Sequence, residues 1–501
     1  NLLMAADDFK SGDPFGSFNR LRYVLDNEPE FSDAHNLYIK IVTRIGKQDL
    51  IDEALHDAVK NHPNNPIFLN MIGKNLLLAK GEKYKALEYI EKSVEKNPHD
   101  CIYWLDLAFC YFAVRNIKMV SLCLATAQKI DSTNKRCFML SSLMFQEDSK
   151  YDEAIKILEH ALNLYPNDKD IIVDLSMLYL KHGRKEDGFR LYSLIESTNR
   201  TNLYQLFDHS KMNTKTDHIK EIKAIKDLDK KSLTLKKKYK ILVFLEQGCG
   251  DILNFYRYLK PLLKKGHTLT AVTHQKSIIP LLKEVSGMEK VNLTSEIEYK
   301  NIKNYDFKTL ILNIPYILNI PQSPPPSILI NISKVKKNNK ELNTKIKKLI
   351  DKNKKNIGIS WKGNKRHLYD ESRSINLNIF SEIFKNNNCN FFVITKDINQ
   401  DERIFLKQFK NVILCDHLIS DWCDTAIIVS LLNEVITVDT SLAHISATLD
   451  KPTRILIAKE PDWRWGISGK KSEWYKSVEL LRQSDPDNWE IIINDLSKKL
   501  A

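Results

Sequence analysis

The stretch NEVITVDTSLAHISATLDK, residues 433–451, decides the fold of the C-terminal part of the chain. Its β-branched, apolar run (Val435, Ile436, Val438) stops at Asp439, and after Thr440 and Ser441 the residues Leu442, Ile445 and Leu449 recur at helical spacing. The pattern predicts a buried strand running into a helix N-terminus. Thr440 and Ser441 are good cap residues, and the N–H groups of such a terminus, with the positive end of the helix dipole, suit an anion such as a diphosphate. An ordinary strand-to-helix turn of an open sheet fits the same residues.

The same texture continues on both sides. NIGISWKGN (356–364), FFVITK (391–396), NVILC (411–415) and TRILIA (453–458) read as further strands, with helix candidates at 376–386, 400–409, 421–432 and 440–449. Strands alternating with helices predict a doubly wound domain over 356–501, with ligands beyond the carboxyl ends of its strands. Upstream, KILVFLEQ (240–247), LTAVTH (269–274) and KTLILNI (308–314) alternate with the helix-like GCGDILNFYRYLKPLLKKG (248–266) and KSIIPLLKEVSG (276–287), which predicts a second parallel lobe over 239–333. The proline cluster IPQSPPPS (320–327) and a Lys-rich connector at 334–355 separate the two.

Residues 1–195 follow another rule. Pro29, Pro63, Pro98, Ser132 and Pro166 stand 34, 35, 34 and 34 residues apart, each just after a helical segment. That is the period of the tetratricopeptide helix pair. Small residues recur where paired helices approach: Ala54 and Ala58, Ala86, Ala125 and Ala127, Ala154 and Ala161. YKALEYIEKSVEKNP (84–98) and YDEAIKILEHALNLYP (151–166) are the clearest of about four to five repeats. Such arrays expose a concave face that takes an extended peptide or a protein surface. Tyr103, Trp104, Phe109, Tyr111 and Phe112 read as core. Residues 196–238 read as a polar, Lys-rich connector.

Composition narrows the class. The 501 residues are 43% apolar and 28% charged, as in globular proteins, and no run of about eighteen apolar residues occurs. NLLMAADDFKSGD has neither the basic nor the long apolar region of a secretion signal, and eight cysteines without a CxxC pair read as buried free thiols of a reducing cytoplasm. The net charge of +13 resides in two segments: 211–240 holds eleven Lys against four acids, and 334–355 ten against two. Solvated linkers explain this better than an arginine-and-aromatic nucleic-acid stripe; a weak contact with an anionic membrane surface is the alternative.

The residues with chemical potential stand at strand ends. EQGCGD places Asp251 at the start of a helix, where it either caps that helix or projects into a cleft to accept a proton from a hydroxyl. Gly248 and Gly250 permit the sharp turn. WKGNKRHLYDESRSINL (361–377) offers Lys362, Lys365, Arg366 and Arg373, of which one or two are candidates to neutralise a phosphate. Gly248, Gly250, Gly363, Asn364 and Lys396 are candidates for phosphate-facing loops. His444 lies one turn inside the anion-facing terminus, and PDWRWG (461–466) brings Asp462, Trp463, Arg464 and Trp465 onto one loop, for stacking on a base or sugar or for the core.

EQGCGDILNFYRYLKPLL, ISWKGN with RSINL, ITVDTSLAHISATLDKP, and PDWRWG followed by SEWY and LLRQ together resemble glycosyltransferase family 9, the heptosyltransferase-like group, fused to tetratricopeptide repeats. The protein O-GlcNAc transferases share that architecture, but the motifs favour family 9. The resemblance covers about 240–500. It implies an α plus α/β fold class, a tetratricopeptide α-solenoid followed by a GT-B fold of two Rossmann-like lobes. It implies inverting, metal-independent transfer from a nucleotide-diphosphate sugar as co-substrate, with no cofactor, to a hydroxyl acceptor. Carried over residue by residue, it makes Asp251 the general base and Asp439, Thr440, Ser441, Leu442 and His444 the diphosphate cradle. Lys362 or Arg373 falls at the leaving group, with Arg464 and Trp465 on the donor side. Cys249 stands where the family commonly has an apolar residue. The expected acceptor is a protein presented by the repeats, of surface-filament or flagellar type, or else a lipid-linked saccharide. The rival reading is a non-catalytic scaffold with a nucleotide-sugar-sensing or relic domain.

Overall fold

The computed structural model describes residues 1–197, 221–234, 237–297, 299–321, 324–365, 367, 370–486 and 488–500. Most of the expected 196–238 connector, and Arg366, therefore lie outside the described residues.

Twelve helices form the N-terminal array among the described residues. They are α1 (Leu2–Ser11), α2 (Pro14–Asn27), α3 (Ser32–Ile45), α4 (Gln48–Asn61), α5 (Pro66–Asn75), α6 (Lys83–Lys96), α7 (Cys101–Ala113), α8 (Ile117–Ile130), α9 (Lys135–Glu147), α10 (Tyr151–Leu164), α11 (Lys169–Lys181) and α12 (Lys185–Tyr192). Consecutive helices pair into six units of a tetratricopeptide-type solenoid, one more than the five marks from Pro29 to Pro166, because no such residue follows the last pair, α11 and α12. The alanines do what their size requires. Ala54, Ala58, Ala86, Ala127, Ala154 and Ala161 are buried between helices, whereas Ala125 faces solvent. Tyr103, Tyr111 and Phe112 are core residues; Trp104 and Phe109 are half-buried.

Two parallel sheets follow. The first has the order β1-β5-β2-β3-β4, from β1 (Lys226–Asp227), β2 (Lys240–Phe244), β3 (Thr268–Val272), β4 (Asn292–Thr294) and β5 (Phe307–Leu310). The second has the order β11-β10-β9-β6-β7-β8, from β6 (Lys355–Ser360), β7 (Cys389–Val393), β8 (Val412–Leu414), β9 (Glu434–Val438), β10 (Thr453–Ile457) and β11 (Val478–Arg482). All pairings within the sheets are parallel, and the strands nearest the middle are buried along nearly their whole length, as sheets covered on both faces must be. The second order is the doubly wound one, reversing between β6 and β9; the first reverses between β2 and β5. Ligands collect beyond the strand ends at such reversals. The architecture is two Rossmann-like lobes of GT-B type behind a helical array.

Several elements depart from expectation. β11 comes from the LLRQ region and β4 is only three residues long. The stretch 334–355, read as a bare connector, is largely helical: Ile332–Asn338 and Lys340–Leu349 are capped by Asn331 and Asn339, and Val335, Leu342 and Ile346 are buried. Lys226 and Asp227, inside the other expected connector, pair with β5 as an edge strand.

One apolar core ties the parts together. It runs from Ala154, Tyr179 and Phe189 of the last repeats through the first lobe to Leu442, Trp463 and Leu480 of the second. Phe189 packs edge-on against both Phe255 and Trp463, at 6.1 and 6.2 Å between ring centres. Polar contacts lock the same joint. The Tyr151 hydroxyl donates to Glu460 Oε2 at 2.8 Å, and Lys181 bridges Glu460 and Gln146. The array is thus fixed against the second lobe, and its inner face opens onto the cleft.

Candidate functional site

Both sheets aim the same construction into the cleft. β2 ends at Phe244, and the loop through Gly248 starts the helix Cys249–Phe255 with Asp251 in its first turn. β9 ends at Val438, and Thr440 starts the helix Ser441–Thr448. The two helix starts touch. Gly250 N–H donates to Ser441 Oγ at 3.1 Å, and a Cβ added at Gly250 would lie 2.6 Å from His444 Cδ2. Glycine is required here by close approach, and not by the turn: Gly250 lies inside the helix and its φ is not positive.

Thr440 and Ser441 were expected to cap their own helix, and their side chains do not. The Thr440 hydroxyl pairs with that of Thr437 at 3.1 Å, Ser441 serves Gly250, and no side chain caps the terminus. One local partner and one from the facing lobe have outcompeted the cap. Thr440, Ser441 and Leu442 line a cavity of about 580 Å³ in the cleft. Its other walls are the Asp251 turn, the loop after β6 with Lys362, Gly363 and Asn364, and Lys396 at the end of β7. These elements meet at the reversal point of the second sheet.

The charged groups divide into committed and uncommitted. Lys362 is not available to a phosphate in this arrangement: its ammonium is held by both carboxylate oxygens of Glu402, at 2.5 and 2.8 Å. Lys396 is exposed and has no ion partner among the described residues. Arg373 lies against the backbone of Gly363, where a Cβ would stand 2.4 Å from its Nη2. From there it donates to the Asp439 carbonyl at 2.9 Å and pairs with Asp370.

Arg464 is the hub. Its guanidinium, 10% exposed, is paired with Asp251 through Nη2 and with Asp462 through Nη1 at 2.7 Å, and lies 4.3 Å over the Trp463 ring. Burial pushes the Asp251 carboxyl up to about 6, against the opposing pull of Arg464. Burial, then the neighbouring Asp462, raises Asp439 as well. Asp462 is driven upward by its burial, but Arg464 outweighs this and holds it below the usual carboxylate value. Burial lowers His444 to about 3, so its imidazole is neutral. Its Nδ1 shares a hydrogen bond with the Tyr475 hydroxyl at 3.1 Å, and its ring stacks on Trp465 at 5.2 Å. Trp465 is buried behind His444 and, like Lys365 and Trp463, does not line the 580 Å³ cavity, whereas Gly248, Gly250, Lys362, Gly363, Asn364, Arg373, Lys396, Asp439, His444 and Arg464 do.

Sequence reasoning missed two partners of this site. Arg257, 2% exposed, reaches across the lobes to the Trp474 carbonyl at 3.1 Å and lies 5.0 Å over the Tyr475 ring. A further cavity of about 490 Å³ shares Gly248, Asp251, Arg373, Asp439 and Arg464 with the first and extends to α9 and α11. The signals were SEWY, quoted without a role, and the helical spacing of Met139 with Leu143 and of Val173 with Met177. Among the described residues no three His, Cys, Asp or Glu side chains gather as metal ligands, and no helix is long and apolar enough to cross a membrane.

No family model and no curated protein matches the chain. Among solved structures, it is similar to a MamA structure (18% identity over 32% of this chain and 92% of that one, TM-score 0.29). It is likewise similar to a tetratricopeptide repeat protein from Parabacteroides merdae (18%, 38% and 75%, TM-score 0.33). A third is PilW, a type IV pilus biogenesis factor (12%, 38% and 88%, TM-score 0.34).

Proposed function

We propose that the chain is an inverting glycosyltransferase of the family 9 type, moving a sugar from a nucleotide-diphosphate donor to a hydroxyl acceptor without a resident metal. The observation that carries this reading is the meeting of two helix starts at one cavity, one bearing the carboxylate of Asp251 and the other an N-terminus that no side chain caps.

The chemistry follows from that polarity. The donor diphosphate rests on the Ser441–Thr448 terminus, where the dipole and Lys396 meet its charge. Asp251 accepts the proton of the acceptor hydroxyl. That oxygen forms a bond to the anomeric carbon from the face opposite the diphosphate. The bond from carbon to phosphate oxygen breaks, and the nucleoside diphosphate leaves with the electron pair. A carboxylate with a value near 6 is well matched to take a proton at neutral pH. Arg464 holds Asp251 until the substrates arrive and keeps it ionised. His444, being neutral, contributes shape and a hydrogen bond but no charge.

Calorimetry with a panel of nucleotide sugars, followed by assay of nucleotide release and mass spectrometry of co-expressed proteins for an added glycan mass, tests the reading. Binding with turnover supports it. Binding of one donor without hydrolysis or transfer would replace it with the sensor reading.

A further inference from the structure

The 490 Å³ chamber is walled on one side by the repeats and on the other by the catalytic turn. From α9 come Met139 and Leu143, and from α11 Val173 and Met177. Each pair is spaced by four residues, which places both members on one face of their helix. All four are half-buried and turned to the chamber, and together they form an apolar wall opposite Asp251.

The charge of the chamber is as distinctive as its shape. Among the described residues its lining holds five carboxylates against three cations, and each of these cations is already engaged. Lys181 is bound to Glu460 and Gln146, Arg373 to Asp370 and the Asp439 carbonyl, and Arg464 to Asp251 and Asp462. An anionic acceptor would meet an excess of carboxylates with no cation to spare. The neighbouring 580 Å³ cavity, by contrast, has the exposed Lys396 and the uncapped helix terminus for a polyanion. A saccharide would set its hydroxyls against methionine, leucine and valine, where buried polar groups lose their hydrogen bonds at a cost of about 1–3 kcal/mol each. Apolar side chains have no such cost, and methionine-bearing surfaces adapt to varied apolar shapes.

We propose that this chamber binds an uncharged or basic polypeptide segment that lays apolar side chains on Met139, Leu143, Val173 and Met177 and directs a serine or threonine hydroxyl to Asp251. This deepens, and rests on, the transferase reading. The acceptor then reaches the cleft from the repeat side while the donor occupies the second lobe, and the Tyr151, Lys181 and Glu460 joint holds the two at fixed distance.

The test uses the full chain and short fluorescent peptides centred on serine with apolar, basic or acidic flanks, together with a fluorescent phosphorylated oligosaccharide. Binding is read by anisotropy, and nucleotide-sugar binding separately by calorimetry. Apolar-flanked peptides are expected to bind. Met177→Glu is expected to weaken them about tenfold or more, the equivalent of about 1.4 kcal/mol, and the milder Leu143→Gln about threefold, with donor affinity and thermal unfolding as in the wild type. Tighter binding of the acidic peptides or the phosphorylated oligosaccharide would overturn the proposal. So would apolar peptides that bind the wild type and both variants equally. Peptide binding as expected, with no nucleotide sugar bound, would support the occupant of the chamber and sink the transferase reading instead.

Discussion

The turns after β2 and β9 are built from the same parts, each with an aspartate and a helix terminus that no side chain caps, and arrange them differently. Each is a buried strand ending at a sheet reversal, followed by a short helix that points into the cleft. The first-lobe turn carries a carboxylate, Asp251, on its first helical residues. The second-lobe turn has its hydroxyls drawn to Thr437 and Gly250 and leaves its terminus uncapped. On the proposed reading, one architecture used twice separates a proton acceptor from an anion cradle. It also predicts that the two turns fail in different ways.

The largest expected effect is on the first. Asp251→Asn keeps the shape and removes the proposed base, so turnover is expected to fall by about 10²–10⁴-fold, the usual range for a lost general base. Donor affinity by calorimetry is expected to stay within about threefold. Loss of donor binding to the same degree would mean that the two turns do not divide the work.

Arg464→Gln breaks the ionic link that sets the first turn's charge. Removing a cation from between two half-buried carboxylates is expected to destabilise the fold at pH 8, by less than the roughly 3–5 kcal/mol of a fully buried pair. Asp251, already raised by burial, rises further without it. A carboxyl whose folded value exceeds its unfolded one binds more protons in the folded state, so stability falls as pH climbs from the unfolded value, through about 6 in the wild type, and through a higher value in the variant. Activity has the opposite slope, because the base must be ionised. Wild-type kcat/KM is expected to rise through about pH 6, and the variant's acid limb to shift upward. An unmoved limb would remove Arg464 from any role in setting Asp251.

The contact between the turns is expected to be worth less. Gly250→Ala drives a methyl toward His444, whose ring is pinned by Trp465 and Tyr475. Overpacking of this kind costs about 1–3 kcal/mol. Since the clash is with His444 itself, adding His444→Ala is expected to recover part of the loss, and a double-mutant cycle followed by thermal unfolding measures the coupling. Additive effects would show that the helix starts are neighbours without being in register.

How much of this was legible in the sequence depended on the range of the interaction. The strand and helix of 433–451 declare themselves because β-branched and helical spacing are local. β11 hid because only Val478 and Leu480 of VELLR are buried, the pattern of an edge strand. The helices at 332–349 hid among lysines, although Asn331 and Asn339, both working N-caps, were visible markers. The site's charge state was not legible. Nothing near Lys362 in the chain points to Glu402, and nothing near Glu460 points to Tyr151 or Lys181. Residue types at strand ends indicate what a cleft contains, and only packing decides which of those charges are already engaged.

That distinction yields the smallest and most discriminating effect, on the second turn. Lys362 and Lys396 both line the 580 Å³ cavity proposed for the donor, and on residue type alone they are equal candidates for the diphosphate. Lys362 is neutralised by Glu402, whose side chain also closes the capping box of the helix Gln400–Leu406. Lys362→Met should therefore lower the thermal midpoint, by stranding Glu402, and barely alter donor affinity. Among the described residues Lys396 has no such partner, so Lys396→Met should leave the midpoint unchanged. It should weaken nucleotide-sugar binding about threefold, as expected for a solvent-screened cation worth about 0.2–1 kcal/mol, and the difference should shrink at high salt. The reverse assignment, with donor affinity lost in Lys362→Met and kept in Lys396→Met, would mean that donor binding pulls Lys362 away from Glu402. The second turn would then acquire its cation only on loading, a cradle completed by its ligand instead of one set in advance.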